Sequence, residues 1–145
     1  LLCRGHYGRV FRGKSLRDGT VVAIKVLDRL KSRSIRLRLE VEILLEAARG
    51  GPHPNLVQLL DAFYTNSSVQ LVFEYVPGGE LFDLIVRRGA LSERKAARLF
   101  RQMVEAVRHL HNRGIIHRDI KPENVFLSKK GSTEGPIKIG DFGLS

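Results

Sequence analysis

The sequence predicts an α+β fold in two parts, an antiparallel sheet carrying one helix and then a mainly helical region. Three observations carry this. Two strand-like runs flank Asp18-Gly19, a hairpin signal that makes the strands on either side antiparallel. A helical pattern over 34–49 meets Gly50-Gly51-Pro52, which stops it. Pro77-Gly78-Gly79 then breaks the chain, and apolar residues at helical spacing follow.

Taken in order, strands are expected over 8–14 and 20–27, the second reading TVVAIKVL with Lys25 alone in a β-branched apolar run. The helix runs from Ser34 to Arg49. Two further strands fit 56–62 and 69–75, joined near Asn66-Ser67-Ser68. Past the break, Glu80 to Arg88 makes a short helix. Ser92 is a suitable N-cap for a long one, in which Phe100, Met103, Val104, Val107 and Leu110 recur at helical spacing until Gly114 ends it. Residues 115–145 read as short loops and strands, with SKKGSTEG (128–135) as a polar surface insertion.

The bulk properties exclude several classes. A chain 43% hydrophobic and 28% charged has the composition of a folded globular domain rather than a disordered one. No apolar run approaches the roughly 20 residues of a membrane helix, and charge begins at Arg4, too early for a signal peptide, so no membrane partner is expected. The single cysteine, Cys3, cannot form an intrachain disulfide and fits a reducing, intracellular and cytoplasmic setting. The net charge of +10 raises nucleic acid as a partner, but the basic residues are dispersed and accompany no nucleic-acid-binding motif. The densest run, Arg29 to Arg38, reads as solvated, and no nucleic acid is expected. The chain opens at Leu1, has Met103 as its only methionine, and reads as a piece of a longer polypeptide.

Three stretches could carry chemistry. A lysine inside an apolar strand needs a counter-charge, because an unpaired buried ammonium is costly. Of the glutamates on the 34–49 helix, Glu40 shares a face with Leu37, Ile43, Leu44 and Ala47, whereas Glu42 falls on the far side with Arg38 and Arg49. Lys25–Glu40 is therefore the expected pair, either facing a substrate or purely structural. The second stretch is His117-Arg118-Asp119-Ile120-Lys121-Pro122-Glu123-Asn124, held between apolar flanks Ile115-Ile116 and Val125-Phe126-Leu127. Asp119 could take a proton from a hydroxyl, Lys121 could neutralise a phosphate, and Asn124 offers a hard oxygen. His117 reads as a packed, hydrogen-bonded histidine rather than a base. The third is Asp141-Phe142-Gly143 after a small strand. Asn124 and Asp141 suit Mg²⁺, which takes its remaining oxygens from phosphates and water. Near the start, Cys3-Arg4-Gly5-His6-Tyr7-Gly8-Arg9-Val10 is either a phosphate-cradling loop or an ordinary turn.

VAIK (22–25), HRDIKPEN (117–124) and DFG (141–143), in that order and with an inward Glu40 between the first two, strongly resemble the protein-kinase signature set. The lysine in DIKPEN resembles the Ser/Thr branch. HPNLVQL (53–59) and FEYVPGGELFD (73–83) look like the calcium/calmodulin-dependent kinase group. The resemblance implies a bilobal kinase fold, truncated after DFG. Its N-lobe would span 1–75, its hinge 76–79, and a partial C-lobe 80–145. It implies ATP and Mg²⁺ as cofactors and proteins phosphorylated on Ser or Thr as partners, with basic contexts suggested by Glu80 and Asp83. A calmodulin-type regulator would be written outside this segment.

By the same resemblance Lys25 holds the α- and β-phosphates, Glu40 orients it, Asp119 accepts the hydroxyl proton and Lys121 steadies the γ-phosphate. Asn124 and Asp141 hold Mg²⁺. Gly5 and Gly8 take the second and third glycine places of the phosphate loop, with Cys3 in the first. Adenine would meet Leu2, Val10, Ala23, the gatekeeper Phe73, the backbone near Glu74 and Val76, and Phe126, where a leucine is usual. Glu80 would contact the ribose. Leu44, Leu59, His117 and Phe142 match the regulatory stack, and Arg118 matches kinases whose activation segment is ordered by a phosphate. The alternative is a non-catalytic, pseudokinase-like nucleotide-binding or scaffolding module, suggested by the irregular first glycine place and the missing C-terminal half.

Overall fold

A computed structural model describes residues 3–5, 8–28, 34–49 and 51–141, without the side chains of 3–5, 34–38 and 40. The backbone forms two compact units, Leu1–Glu46 with Gln58–Tyr75, and Ala47–Val57 with Val76–Ser145. Segment 47–57 therefore clusters with the helical unit rather than with the sheet that surrounds it in sequence. The reason is local bonding. The Ala47 carbonyl accepts from His109 Nε2 (3.0 Å), the Arg49 carbonyl from Arg113 Nη2 (2.8 Å), and the Val57 amide donates to the Ile139 carbonyl (2.9 Å).

The first unit is a five-stranded antiparallel sheet, β1 (Cys3–Gly5), β2 (Gly8–Lys14), β3 (Val21–Asp28), β4 (Leu59–Tyr64) and β5 (Ser68–Glu74), in the order β1-β2-β3-β5-β4. The Asp18-Gly19 turn closes β2 onto β3, with Gly19 at φ 75° and the Thr20 amide donating to Asp18 Oδ1 at 3.0 Å. Leu27, Val69 and Leu71 form the buried centre of the sheet. Helix α1 (Ser34–Ala47) buries Val41 and Leu44 and leaves Glu42 exposed, as its periodicity predicts. The strand expected over 56–62 begins instead at Leu59, because Leu56 bridges Ile139 in the other unit's chain segment.

In the second unit, α2 (Leu81–Arg88) lies against β6 (Val125–Lys129), and α3 (Glu93–His111) lies against β7 (Ser132–Ile139). Ser92 holds the N-cap place of α3 without a side-chain capping bond. The buried line of α3 is Leu99, Ala106 and Leu110, whereas Phe100 is 65% and Val104 49% exposed. The expected apolar face is thus rotated by about one residue, since Phe100 and Val104 sit roughly 100° around the helix from that line. SKKGSTEG is not the loop expected. Ser128 and Lys129 finish β6, Gly131 turns at φ 66°, and Ser132 to Gly135 open β7 with Thr133 buried. No described helix is long and apolar enough to cross a membrane.

Candidate functional site

In the first unit, strand register does the placing. Val10 pairs with Lys25, Lys25 with Leu71, and Ala23 with Phe73. Directly opposed residues in antiparallel strands share a face, so Val10, Ala23, Lys25, Leu71 and Phe73 all lie on one side of the sheet. The β1–β2 hairpin brings Gly5 opposite Gly8 and Cys3 opposite Val10. Gly8 is required by close approach, because a Cβ there would stand 2.5 Å from the Val26 carbonyl oxygen and 3.0 Å from Leu27 Cδ2. Cys3–Gly5 and Gly8–Val10 therefore pair as adjacent strands at the sheet edge. His6 and Tyr7 lie outside the described residues, as do Leu2, the Glu40 side chain, Phe142 and residues 29–33. The expected Lys25–Glu40 pair consequently lies outside them too. At the end of β5, the Glu74 amide donates to the Gln58 carbonyl (3.0 Å), and Glu74 Oε1 accepts from the Gln58 amide (2.8 Å).

In the second unit the polar loop is locked by its own side chains. Lys121 Nζ stands 2.9 Å from Asp119 Oδ2, and Asn124 Nδ2 donates to both Asp119 Oδ2 and the Asp119 carbonyl at 2.9 Å. These bonds, Lys121's first and Asn124's after it, hold the Asp119 carboxyl below its ordinary value, so it is ionised at neutral pH. Asp119 in turn raises Lys121, which stays an ammonium. His117 is 3% exposed, with Nε2 donating to the Gly140 carbonyl (2.9 Å) and Nδ1 accepting from the Asp119 amide (3.3 Å). Both ring nitrogens are engaged by backbone, which bears out the reading of His117 as a packed strut. The flanks are less symmetric than expected, since Ile115 is buried but Ile116 is 63% exposed.

The Gly140 amide donates to the Asn124 carbonyl (2.9 Å), joining the loop to the residue before Asp141. Arg118 (φ 60°) and Asp141 (φ 61°) adopt left-handed backbone, the two non-glycine cases among the described residues. Such conformations persist where the surroundings over-determine them, often at functional sites. With Nδ2 of Asn124 committed to Asp119, its side-chain oxygen is the end suited to a cation, as is the exposed Asp141 carboxylate. No three His, Cys, Asp or Glu side chains among the described residues converge to hold a metal. A hard cation that draws its other oxygens from substrate phosphates, as Mg²⁺ does, fits this sparse donor set.

Phe126 is half-buried in β6 and forms an isolated bridge with Glu80, while the Leu127 amide donates to the Gly79 carbonyl (2.9 Å). Gly78 presses against the Leu127 backbone so closely that any Cβ there would clash. The Glu80 carboxyl is pushed up by burial first and then by Asp83 and Glu123. Glu123 thus joins the acidic group that the sequence reading confined to Glu80 and Asp83. Its signal was its place beside Asn124, hidden among residues with other expected roles.

Comparison with known proteins gives the family. The protein kinase domain pattern matches residues 1–145. A CBL-interacting protein kinase 1 of Oryza sativa subsp. japonica is 42% identical over 144 residues, covering 99% of this chain and 30% of that protein. The calcium/calmodulin-dependent protein kinase type IV of Homo sapiens is 43% identical over 144 residues, covering 99% of this chain and 29% of that protein. The chain spans less than a third of the length of either relative.

Proposed function

The chain belongs to the protein kinase domain family, and from that premise we propose that the protein transfers the γ-phosphate of ATP to Ser and Thr hydroxyls of proteins. The observation that carries the proposal is the Asp119 carboxylate, ionised and clamped between Lys121 and Asn124 at 2.9 Å. Phosphoryl transfer asks little covalent chemistry of a protein; it asks for positioning and charge. In this reading Asp119 takes the proton of the attacking hydroxyl as the new O–P bond forms and the bridging bond to the β-phosphate breaks. A carboxylate held below its ordinary pKa is a weak base, so it accepts that proton late in the transfer. Lys121, beside it, steadies the γ-phosphate.

Lys25, oriented by Glu40, meets the α- and β-phosphates. In the same reading adenine would meet Leu2, Val10, Ala23, Phe73 and Phe126 and would hydrogen-bond the backbone at Glu74 and Val76. Gly5 and Gly8 admit the phosphates to the hairpin backbone, and Glu80 meets the ribose. Asn124 and Asp141 hold Mg²⁺, which when bound neutralises phosphate charge. Glu80, Asp83 and Glu123 favour substrates with basic residues near the acceptor. ATP as co-substrate puts the reaction inside the cell, and the cytoplasm is the proposed compartment.

The test is transfer of labelled γ-phosphate by the full-length protein, with Asp119→Asn beside it. The expected loss is about 10²–10⁴-fold, the usual contribution of a positioned proton acceptor. Equal activity in both proteins removes Asp119 from the mechanism. Bound ATP without transfer in either would favour the scaffolding alternative.

A further inference from the structure

β7 pairs with β6 along one edge only. Among the described residues its other edge carries no strand, only the isolated parallel bridge from Leu56 to Ile139, yet the four backbone groups of Ile137 and Ile139 that face it are all bonded. The Ile139 amide donates to the Asn55 carbonyl (2.9 Å), and the Ile139 carbonyl accepts from the Val57 amide (2.9 Å). The Ile137 carbonyl accepts from Asn55 Nδ2 (2.9 Å), and the Ile137 amide donates to Gln102 Oε1 (3.0 Å). Gln102 Oε1 also accepts from Asn55 Nδ2 (2.9 Å), so one amide oxygen on α3 closes the whole arrangement. Asn55 is 4% exposed, which makes each of these bonds costly to lose.

Two residues beyond Ile139 the chain reaches Asp141 in a left-handed conformation. Between them, Gly140 is held by the Asn124 carbonyl and by His117. The approach to Asp141 is thus fixed on one edge by the polar loop and on the other by Gln102 and Asn55. No step of the proposed transfer uses either of the latter.

We propose that Gln102, acting through Asn55 and β7, is a positioning residue that sets the place of the Asp141 carboxylate for Mg²⁺. This rests on the reading of Asp141 as a cation ligand. Removing the Gln102 oxygen leaves the Ile137 amide and one Asn55 hydrogen without an acceptor, and the strand end gains freedom where Asp141 needs a fixed aim. Partners that orient metal ligands typically cost about 10–100-fold in metal affinity when lost.

The experiment uses the full-length protein with Gln102→Met, which keeps side-chain length but loses the acceptor, and Gln102→Glu, which keeps an acceptor oxygen. Gln102→Met is expected to raise the free Mg²⁺ giving half-maximal transfer by about tenfold, with a smaller change in kcat at saturating Mg²⁺. Gln102→Glu should stay near the parent value. Amide hydrogen exchange without nucleotide supplies the independent readout, in which Ile137 should lose protection in Gln102→Met and keep it in Gln102→Glu. If Ile137 loses protection while the Mg²⁺ requirement is unchanged, or if Ile137 protection never falls, the proposal is overturned. Asp141→Asn separates the underlying reading: a Mg²⁺ requirement unchanged in that variant sinks the ligand role itself, whatever Ile137 reports. Should Gln102→Met fail to fold, Gln102→Asn, which withdraws the amide by one methylene, reads the same two quantities.

Discussion

The two units hold their candidate functional residues by different means. In the sheet, Val10, Ala23, Lys25 and Phe73 reach a common face because backbone ladders hold β2, β3 and β5 in register. The face that each side chain takes follows from strand register. In the helical unit, Asp119 is placed by Lys121 and Asn124, Gly140 by His117, and β7 by Asn55 and Gln102, each through a side-chain hydrogen bond. A site set by backbone tolerates side-chain changes and fails when strands are forced apart. A site set by side chains fails when one atom is deleted, even though the fold survives.

The largest expected effect tests the second half of that contrast. Asn124→Ala removes both the bonds to Asp119 and the oxygen assigned to the cation, and should lower phosphoryl transfer by roughly 100-fold or more. The melting temperature should fall by only a few degrees, because Asn124 is buried but its partner Asp119 is only half-buried, in a loop whose other residues are mostly exposed. A rate within a few-fold of the parent protein would show that Lys121 alone suffices to hold Asp119. Gly8→Ala tests the first half. A Cβ 2.5 Å from the Val26 oxygen forces β2 away from β3, and overpacking of this kind costs about 1–3 kcal/mol, or on the order of 5 °C in melting temperature. An unchanged melt would mean that the hairpin shifts without cost, and that register is held elsewhere.

This contrast also explains what could be read from the sequence. Lys25, Asp119, Asn124 and Asp141 stood out because each is polar beside apolar residues and each sits in a motif of fixed spacing. The hairpin around Asp18-Gly19 was legible from turn chemistry alone. The phase of α3 was not, since apolar residues occupy both the Leu99–Ala106–Leu110 line and the neighbouring Phe100–Val104 line, and only packing against β7 chooses between them. The β6–β7 hairpin was hidden because its turn is rich in Ser, Lys and Gly and its strands gain stability from each other. Residues 56–58 looked like the start of the β4 strand, but Leu56 and Val57 pair instead with Ile139 on β7, some 80 positions away. Gln102 and Asn55 carried no motif signal as a pair, for the same reason of distance along the chain.

Acid should loosen the two units in different ranges. His53 Nδ1 accepts from the Asn55 amide (3.1 Å), and its ring lies 4.6 Å from that of His109, whose Nε2 donates to the Ala47 carbonyl. Burial foremost, then His109, holds His53 below its ordinary value of 6.5; Lys138 and Arg113 push the same way and Glu105 opposes them. The unfolded chain therefore takes up a proton that the folded one resists. The contribution is complete above pH 6.5 and is lost as pH falls through the lowered folded value. In the sheet, Asp18 is held at about 2 by the Thr20 amide and by the Ser15 and Thr20 hydroxyls, so its contribution is present above its ordinary 3.8 and lost as pH falls towards 2. Urea melts across pH 5–7.5 should weaken on the acid side, and His53→Asn, which keeps an acceptor but cannot titrate, should flatten that slope. A slope identical in both proteins would assign it to another group.

The smallest expected effect returns to the first strand pair, where Cys3 pairs with Val10 and, in the proposed reading, stands in the first glycine place of the phosphate loop. A Cβ at that position restricts the backbone at the entry to the hairpin, whereas glycine frees it. If phosphate binding draws on adjustment of the hairpin backbone, Cys3→Gly should tighten ATP by about 2–5-fold, the range equivalent to the roughly 0.5–1 kcal/mol that separates glycine from alanine in a strand. Because the sheet site is set by register, the substitution should leave Lys25 opposite Val10 and the rate at saturating ATP nearly unchanged. An equal or weaker affinity, measured by calorimetry with a non-hydrolysable analogue, would mean that Cys3 holds β1 against β2 and that this edge of the sheet depends on its side chain after all.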